Sequence, residues 1–421
     1  MINASANPIF RVLAVRDFRL LWLGGSISML GSQFSLVALP WLVLQLTGDP
    51  LALGIVLALG GIPRAGFILL GGAIADRFSP RTILVLCDWI NFVLSALLAL
   101  LVFTGLMQVW MLYVFSLITG LLAGFVMPAA SSVLPVLVPE NDLQAANSIS
   151  MGTQQLTAFA GPALAGLIIG AYSKSVEGVA VAFTVDAITF AVCAVMLGLM
   201  HGGGRVRAAN QASEDILRSI RAGVTYLWGQ TGLRFLFMAM AMINFFFTGP
   251  LLVGIPVLAD QRLPEGAAAF GLLMSAYAGG NLAGFVVGGL LPKPSGRFLG
   301  ALLVGSLFSF GLVLVCFGWI TNTWIDLALI LLVGIGNGYL GLVIFTWIQQ
   351  RTPREMLGRV MSMVMFAGLG LVPLSQILAG AVSSWDLTGL FVLSGSVIVL
   401  AALWSVFQPA LKSLAIEMAG D

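Results

Sequence analysis

A chain of 421 residues with 59% hydrophobic and only 9% charged side chains cannot clothe itself in a water-facing surface, since a soluble domain carries about 25% charged residues. With a mean hydropathy of +1.05, most of its surface must face lipid, and the 50 glycines fit, glycine being more frequent in membrane helices than in soluble ones. The net charge of +2 excludes the strong basic balance of a nucleic-acid binder, and three cysteines (Cys87, Cys193, Cys316) in no CxxC or Cys/His spacing form neither a metal site nor a disulfide framework. They read as small buried hydrophobes.

A membrane helix needs about 20 mostly apolar residues. The short polar start leads directly into an apolar run too long for a signal-peptide core, with no A-x-A-like cleavage site, so the first segment is expected to be a retained membrane helix. Twelve spans are predicted, at 18–46, 51–75, 82–105, 108–137, 143–172, 178–200, 232–259, 267–291, 297–320, 324–350, 354–382 and 387–410. Several exceed the minimum, which implies tilt or extension beyond the bilayer.

Lys and Arg set the orientation. With both termini cytoplasmic, the inner side holds Arg11, Arg16, Arg19, Arg77, Arg81, Arg205, Arg207, Arg218, Arg221, Arg234, Lys293, Arg297, Arg351, Arg354, Arg359 and Lys412. The outer side holds only Lys174 and Arg262, and Arg64 lies within a span. Missing one span would reverse every later loop and scramble this bias, so the bias supports the count too.

The expected division is a six-helix bundle at 1–200, a cytoplasmic linker at 201–231 and a second six-helix bundle at 232–421. In the linker, Ser213 is an N-cap candidate with Glu214 and Asp215 in the following turn. Ile216, Leu217, Ile220, Val224, Leu227 and Trp228 then fall near helical spacing, which reads either as an amphipathic helix on the membrane surface or as a plain connector.

The two halves echo one another at an offset of about 215 residues. Phe18-Arg19-Leu20-Leu21 is matched by Leu233-Arg234-Phe235-Leu236, and Gly72 to Arg81 by Gly288 to Arg297. Pro139, Leu143, Ser148, Ala165 and Gly166 are matched by Pro353, Leu357, Ser362, Ala379 and Gly380. Parallel repeats of this kind place a solute site near the bilayer midplane, with alternating access by rocking of one half against the other.

The loop after span 2, Gly71-Gly72-Ala73-Ile74-Ala75-Asp76-Arg77-Phe78-Ser79-Pro80-Arg81, resembles the G-x-x-x-D-R-x-G-R-[RK] signature of the major facilitator superfamily. Gly72, Asp76, Arg77 and Arg81 match, while Ser79 replaces the usual glycine and Pro80 one basic residue. Leu137-Val138-Pro139 through Ala146-Asn147 to Gly161-Pro162-Ala163-Leu164-Ala165-Gly166 narrows the match, as does Gln349 through Pro353-Arg354-Glu355-Met356-Leu357-Gly358-Arg359-Val360-Met361-Ser362. Together with Phe18-Arg19-Leu20-Leu21-Trp22 and Ala38-Leu39-Pro40-Trp41, they resemble the branch of macrolide-efflux proteins and enterobactin exporters. The resemblance implies an all-α membrane protein of two pseudo-symmetric six-helix bundles, acting without enzymatic activity or cofactor as a monomeric secondary transporter in a bacterial-type inner membrane. It implies export of a drug- or siderophore-like amphipathic solute coupled to protons. Solute uptake, lysophospholipid transport and a non-transporting receptor are the alternatives on the same fold.

Locally, Thr352-Pro353-Arg354-Glu355 has a capping-box pattern with Pro at the first helical position, so span 11 is expected to start there. The resemblance implies that Asp76 docks near that positive helix end as a cytoplasmic gate, with Arg77 and Arg81 completing a charge network. The alternative is that these arginines serve only as inside anchors.

Two ionisable residues stand inside spans, where a charge costs at least about 3 kcal/mol unless paired or facing water. Arg64, beside Pro63, is either an anion site or charge setter in a cavity or a donor to carbonyls freed at the proline. Asp186 in span 6 is either the proton-coupling carboxylate or a structural cap near the outer helix end. Asp88 reads as an anchor or a partner of the loop. Spans 1, 4, 7 and 10, which the resemblance implies line the cavity, show no acid in their interiors. Recognition is then expected to fall to Gln33, Gln154, Gln155, Asn244, Asn281, Asn337 and Gln376, with Phe245, Phe246, Met127 and Met365. Buried amides equally serve as interhelical hydrogen bonds. The lone histidine, His201, excludes H-E-x-x-H zinc chemistry, and no G-x-S-x-G or G-x-x-x-x-G-K-[ST] pattern occurs.

Overall fold

The computed structural model describes residues 7–75, 79–172, 176–201, 224–291 and 296–408, with the side chains of 68–75, 296–299, 354, 355, 358 and 362 left out. The described residues are almost entirely helical, and twelve helices are long and apolar enough to cross a membrane. In chain order spans 1 to 6 are the helices Arg16–Thr47, Pro50–Ala75, Pro80–Phe103, Val109–Leu137, Leu143–Ala171 and Glu177–Gly198. Span 7 is broken into Thr231–Phe246 and Ile255–Arg262 around a π-helical turn at Pro250–Gly254. Spans 8, 9 and 10 are Ala267–Leu290, Gly296–Trp319 and Thr323–Arg351; span 11 is Arg354–Leu369 followed by Val372–Trp385, and span 12 is Leu387–Val406. The order and number agree with the sequence expectation. The predicted linker helix lies mostly outside the described residues, of which 224–229 are helical.

The chain forms two compact units. The first contains residues up to Gly48, Leu59–Ala209 and Glu265–Ser275; the second contains Asp49–Ala58, Asn210–Pro264 and the chain from Ala276 onward. The first turns of spans 2 and 8 belong to the unit opposite to the rest of their helices.

In the first unit, span 6 is the hub, packed on spans 1 and 3, and span 1 also packs on span 5. Glycine makes the closest approach possible: a Cβ at Gly24 would sit 3.2 Å from that of Met196, and one at Gly31 would overlap the Thr189 side chain. The indole of Trp22 donates to Thr153 at 2.9 Å, fastening span 1 to span 5. Gly48 ends span 1 in the left-handed conformation, φ 61°, which a residue with a Cβ rarely adopts. A short helix, Pro8–Ala14, precedes span 1 and is held by an ion pair between Arg11 and Asp142. The hydrogen bond and charge of Asp142 raise the Arg11 guanidinium above its ordinary value.

In the second unit, spans 9 and 12 pack through Gly311 and Gly395, and spans 8 and 10 through Gly280 and Gly334. Gly249-Pro250 and Pro256 break span 7, since proline removes a donor and clashes with the preceding turn. The Ser375 hydroxyl donates to the Phe245 carbonyl freed at that break. Pro373 breaks span 11 in the same way. Asn322 caps span 10 by accepting from Trp324 and Ile325, and Asp386 caps span 12 by accepting from Thr388.

The capping box expected at span 11 does not form among the described residues. Pro353 occupies the N-cap itself, one position before the helix, and the Thr352 hydroxyl is buried without a hydrogen bond.

Candidate functional site

A cavity of about 540 Å³ lies in the first unit, lined by spans 1, 3, 4, 5 and 6. Two polar stripes run along its walls. On span 1, Ser28, Ser32 and Ser35 recur at helical spacing; on span 3, Asp88, Asn91 and Ser95 do the same. Each stripe climbs about 10 Å, seven residues of helix.

The stripes meet at Asp186, which is 2% exposed. Its Oδ2 accepts from the Ser35 hydroxyl at 2.5 Å and from the Ser95 hydroxyl at 3.0 Å. Its Oδ1 is buried with no hydrogen-bond partner among the described residues, although it belongs to a cavity wall. Span 6 thus delivers Asp186 to the cavity and two neighbouring spans supply its donors. Asp88, 8% exposed, stands at the other end of the span 3 stripe and accepts from the Cys193 thiol. It also lines the cavity, so this site has a second acid. Phe115 and Phe190 give the cavity apolar walls, and no basic side chain is among its described lining residues.

Of the residues expected to bind solute, Gln33, Gln154 and Gln155 line this cavity. The acids of this cavity come from spans 3 and 6, and none of its lining residues on spans 1 and 4 is acidic. Met127 is exposed outside the cavity's lining. In the second unit, Asn244 and Asn337 line a smaller, mostly apolar cavity of about 150 Å³. Asn337 donates to Asn281 at 2.7 Å, a bond between spans 10 and 8, and Asn281 donates within span 8 to the Tyr277 carbonyl at 3.0 Å. Phe245 packs edge-on against Phe246. Met365 is exposed, and Gln376 is buried with its carbonyl oxygen unpartnered.

Arg64 is exposed and makes no hydrogen bond or ion pair among the described residues. Asp76 and Arg77 lie outside the described residues, and Gly72 lies in the last turn of span 2. Arg81 is described: its guanidinium donates to the carbonyls of Leu197 and Gly198 at 2.9 and 2.6 Å, closing the C-terminal end of span 6. Orphan carbonyls and the negative helix end both favour a cation there.

One acid escaped the sequence reading. Asp326, in the first turn of span 10, is 0% exposed, and neither carboxylate oxygen has a hydrogen-bond partner among the described residues. Among the described residues, no group of three or more His, Cys, Asp or Glu could hold a metal ion.

Comparison with known proteins agrees with this architecture. Macrolide efflux protein A of Streptococcus pyogenes is 24% identical over 395 residues, 92% of this chain and 94% of that protein. Multidrug efflux pump Tap of Mycolicibacterium fortuitum is 25% identical over 430 residues, 98% of each. Enterobactin exporter EntS of Shigella dysenteriae serotype 1 is 27% identical over 351 residues, 82% of this chain and 79% of that one. Among solved structures, the nucleoside transporter NupG matches with a TM-score of 0.69 at 13% identity, over 93% of this chain and 99% of that one. A bacterial homologue of the iron transporter ferroportin, in an inward-facing state, matches with a TM-score of 0.68 at 17% identity, over 96% and 99%. These likenesses establish the fold. The Major Facilitator Superfamily model matches residues 21–373. A twelve-span helical chain matched over most of its length in this way belongs to the Major Facilitator Superfamily of membrane transporters.

Proposed function

We propose that the protein is a secondary exporter of amphipathic solutes bearing a positively charged group, and that each solute is exchanged for a proton at Asp186. Its setting is a bacterial-type inner membrane with both termini in the cytoplasm, as the distribution of Lys and Arg favours. The observation that carries the reading is the cavity of the first unit. It pairs aromatic walls with two buried acids, no described basic lining residue, and an Asp186 oxygen without a partner among the described residues. A cationic group on the solute would bind the ionised Asp186. A proton arriving from the opposite side would take its place and release it. The serine and asparagine stripes give the proton a polar route between Asp186 and Asp88. Relatives named for macrolide efflux, multidrug efflux and enterobactin export support the outward direction.

The test is uptake of lipophilic cations into inside-out vesicles, with and without an imposed proton gradient. The wild type is expected to accumulate them only with the gradient. Asp186→Asn, an isosteric change that cannot ionise, is expected to abolish gradient-driven accumulation. Undiminished transport by that variant would return Asp186 to a structural role.

A further inference from the structure

The two repeats differ at one corresponding place. In the first unit, spans 1 and 6 pack closely along their lengths, with Gly24 against Met196 and Cys193 near the basic side of the chain. In the second unit the equivalent pair is spans 7 and 12, whose contact is small. At the position matching Gly24, Ala239 lines an open groove of about 260 Å³.

The groove is amphipathic along its length. Its mouth holds Thr231 and Arg234 from the first turn of span 7 and Gln408 just past span 12. Its trough is walled by Met238, Met242 and Leu307. From Arg234 to Met242 span 7 rises about 12 Å, most of the roughly 15 Å hydrocarbon depth of one leaflet. Trp404, 60% exposed, borders the mouth, as tryptophans do at a membrane–water boundary. Among the described residues Arg234 has no hydrogen-bond or ion-pair partner in its side chain, and no acid lines the groove to receive a choline or ammonium group.

We propose that this groove binds one anionic phospholipid from the leaflet on the basic side, with its phosphate on Arg234 and Thr231 and one acyl chain along Met238, Met242 and Leu307. The lipid fills the gap that close packing fills in the first unit. The charge complementarity selects a net-negative headgroup, and the apolar trough selects a lipid over a free anion.

The experiment is native mass spectrometry of the purified, delipidated full-length protein. It is titrated with phosphatidylglycerol, with phosphatidylcholine of the same chains, and with inorganic phosphate. The wild type is expected to retain one phosphatidylglycerol at concentrations where phosphatidylcholine is not retained. Arg234→Ala is expected to weaken retention about fivefold, the worth of one basic group at an anionic surface, and Arg234→Lys to restore most of it. Met242→Trp, which fills the trough and leaves Arg234 in place, is expected to abolish retention, and it serves as the test if Arg234→Ala does not fold. Equal retention of both lipids, unchanged retention by Arg234→Ala or by Met242→Trp, or displacement of the lipid by phosphate at matching concentration would each overturn the proposal.

Discussion

Asp186 has two hydroxyl donors and a cavity wall where an unpaired mid-bilayer carboxylate would cost at least about 3 kcal/mol. The residue was legible in the sequence because it is the one acid deep within its span. Its donors were not, because Ser35 and Ser95 come from spans 1 and 3, and only packing says which of many serines face it. The place of Asp88 in the cavity wall was hidden for the same reason: proximity to the basic loop in sequence suggested an anchor, and only packing shows that the span 3 stripe also brings it to the cavity. Asp326 was missed because an acid in a first helical turn reads as an ordinary complement to the helix dipole. Since neither of its oxygens is hydrogen-bonded among the described residues, Asp326→Asn removes none of the described bonds. Its thermal unfolding midpoint in detergent is expected within about 2 °C of the wild type. A fall of more than about 5 °C would mean that the carboxylate has a partner that stabilises the fold.

Helix existence and order followed from hydropathy, since a lipid-facing surface leaves a strong signal in a single sequence. Helix interruptions followed less well. Pro250, Pro256 and Pro373 are visible in the sequence, but the π turn in span 7 and its repair by Ser375 depend on a neighbouring helix. The span 11 cap failed because the chain enters the helix one residue later than the Thr-Pro pattern implies. The glycines show the same limit. Gly25 and Gly31 look alike in span 1, yet a Cβ at Gly25 meets nothing within 4 Å while one at Gly31 overlaps Thr189. Gly31→Leu is therefore expected to destabilise the protein by about 1–3 kcal/mol through overpacking, seen as a lower unfolding midpoint and lower yield. Gly25→Ala is expected to be neutral. Equal effects of the two would show that spans 1 and 6 do not pack as described.

At the scale of the whole molecule, the span count and the bias of basic residues are one constraint, because each added or lost span inverts all later loops. A cysteine placed at Gly105, between spans 3 and 4, is expected to react with an impermeant thiol reagent added outside intact cells. One placed at Gln230, before span 7, is expected to react only after the membrane is opened. Replacing Cys87, Cys193 and Cys316 by serine beforehand removes the native thiols. The reverse labelling pattern would invert the proposed orientation, and with it the direction of transport.

The most direct test of the account is a count of protons released when a lipophilic cation binds the purified transporter in weakly buffered detergent solution. Under conditions where Asp186 carries its proton, the account predicts release of up to one proton per protein on saturation by the wild type, and none from Asp186→Asn. Binding by the wild type without proton release, or equal release from the variant, would contradict exchange of solute and proton at this carboxylate.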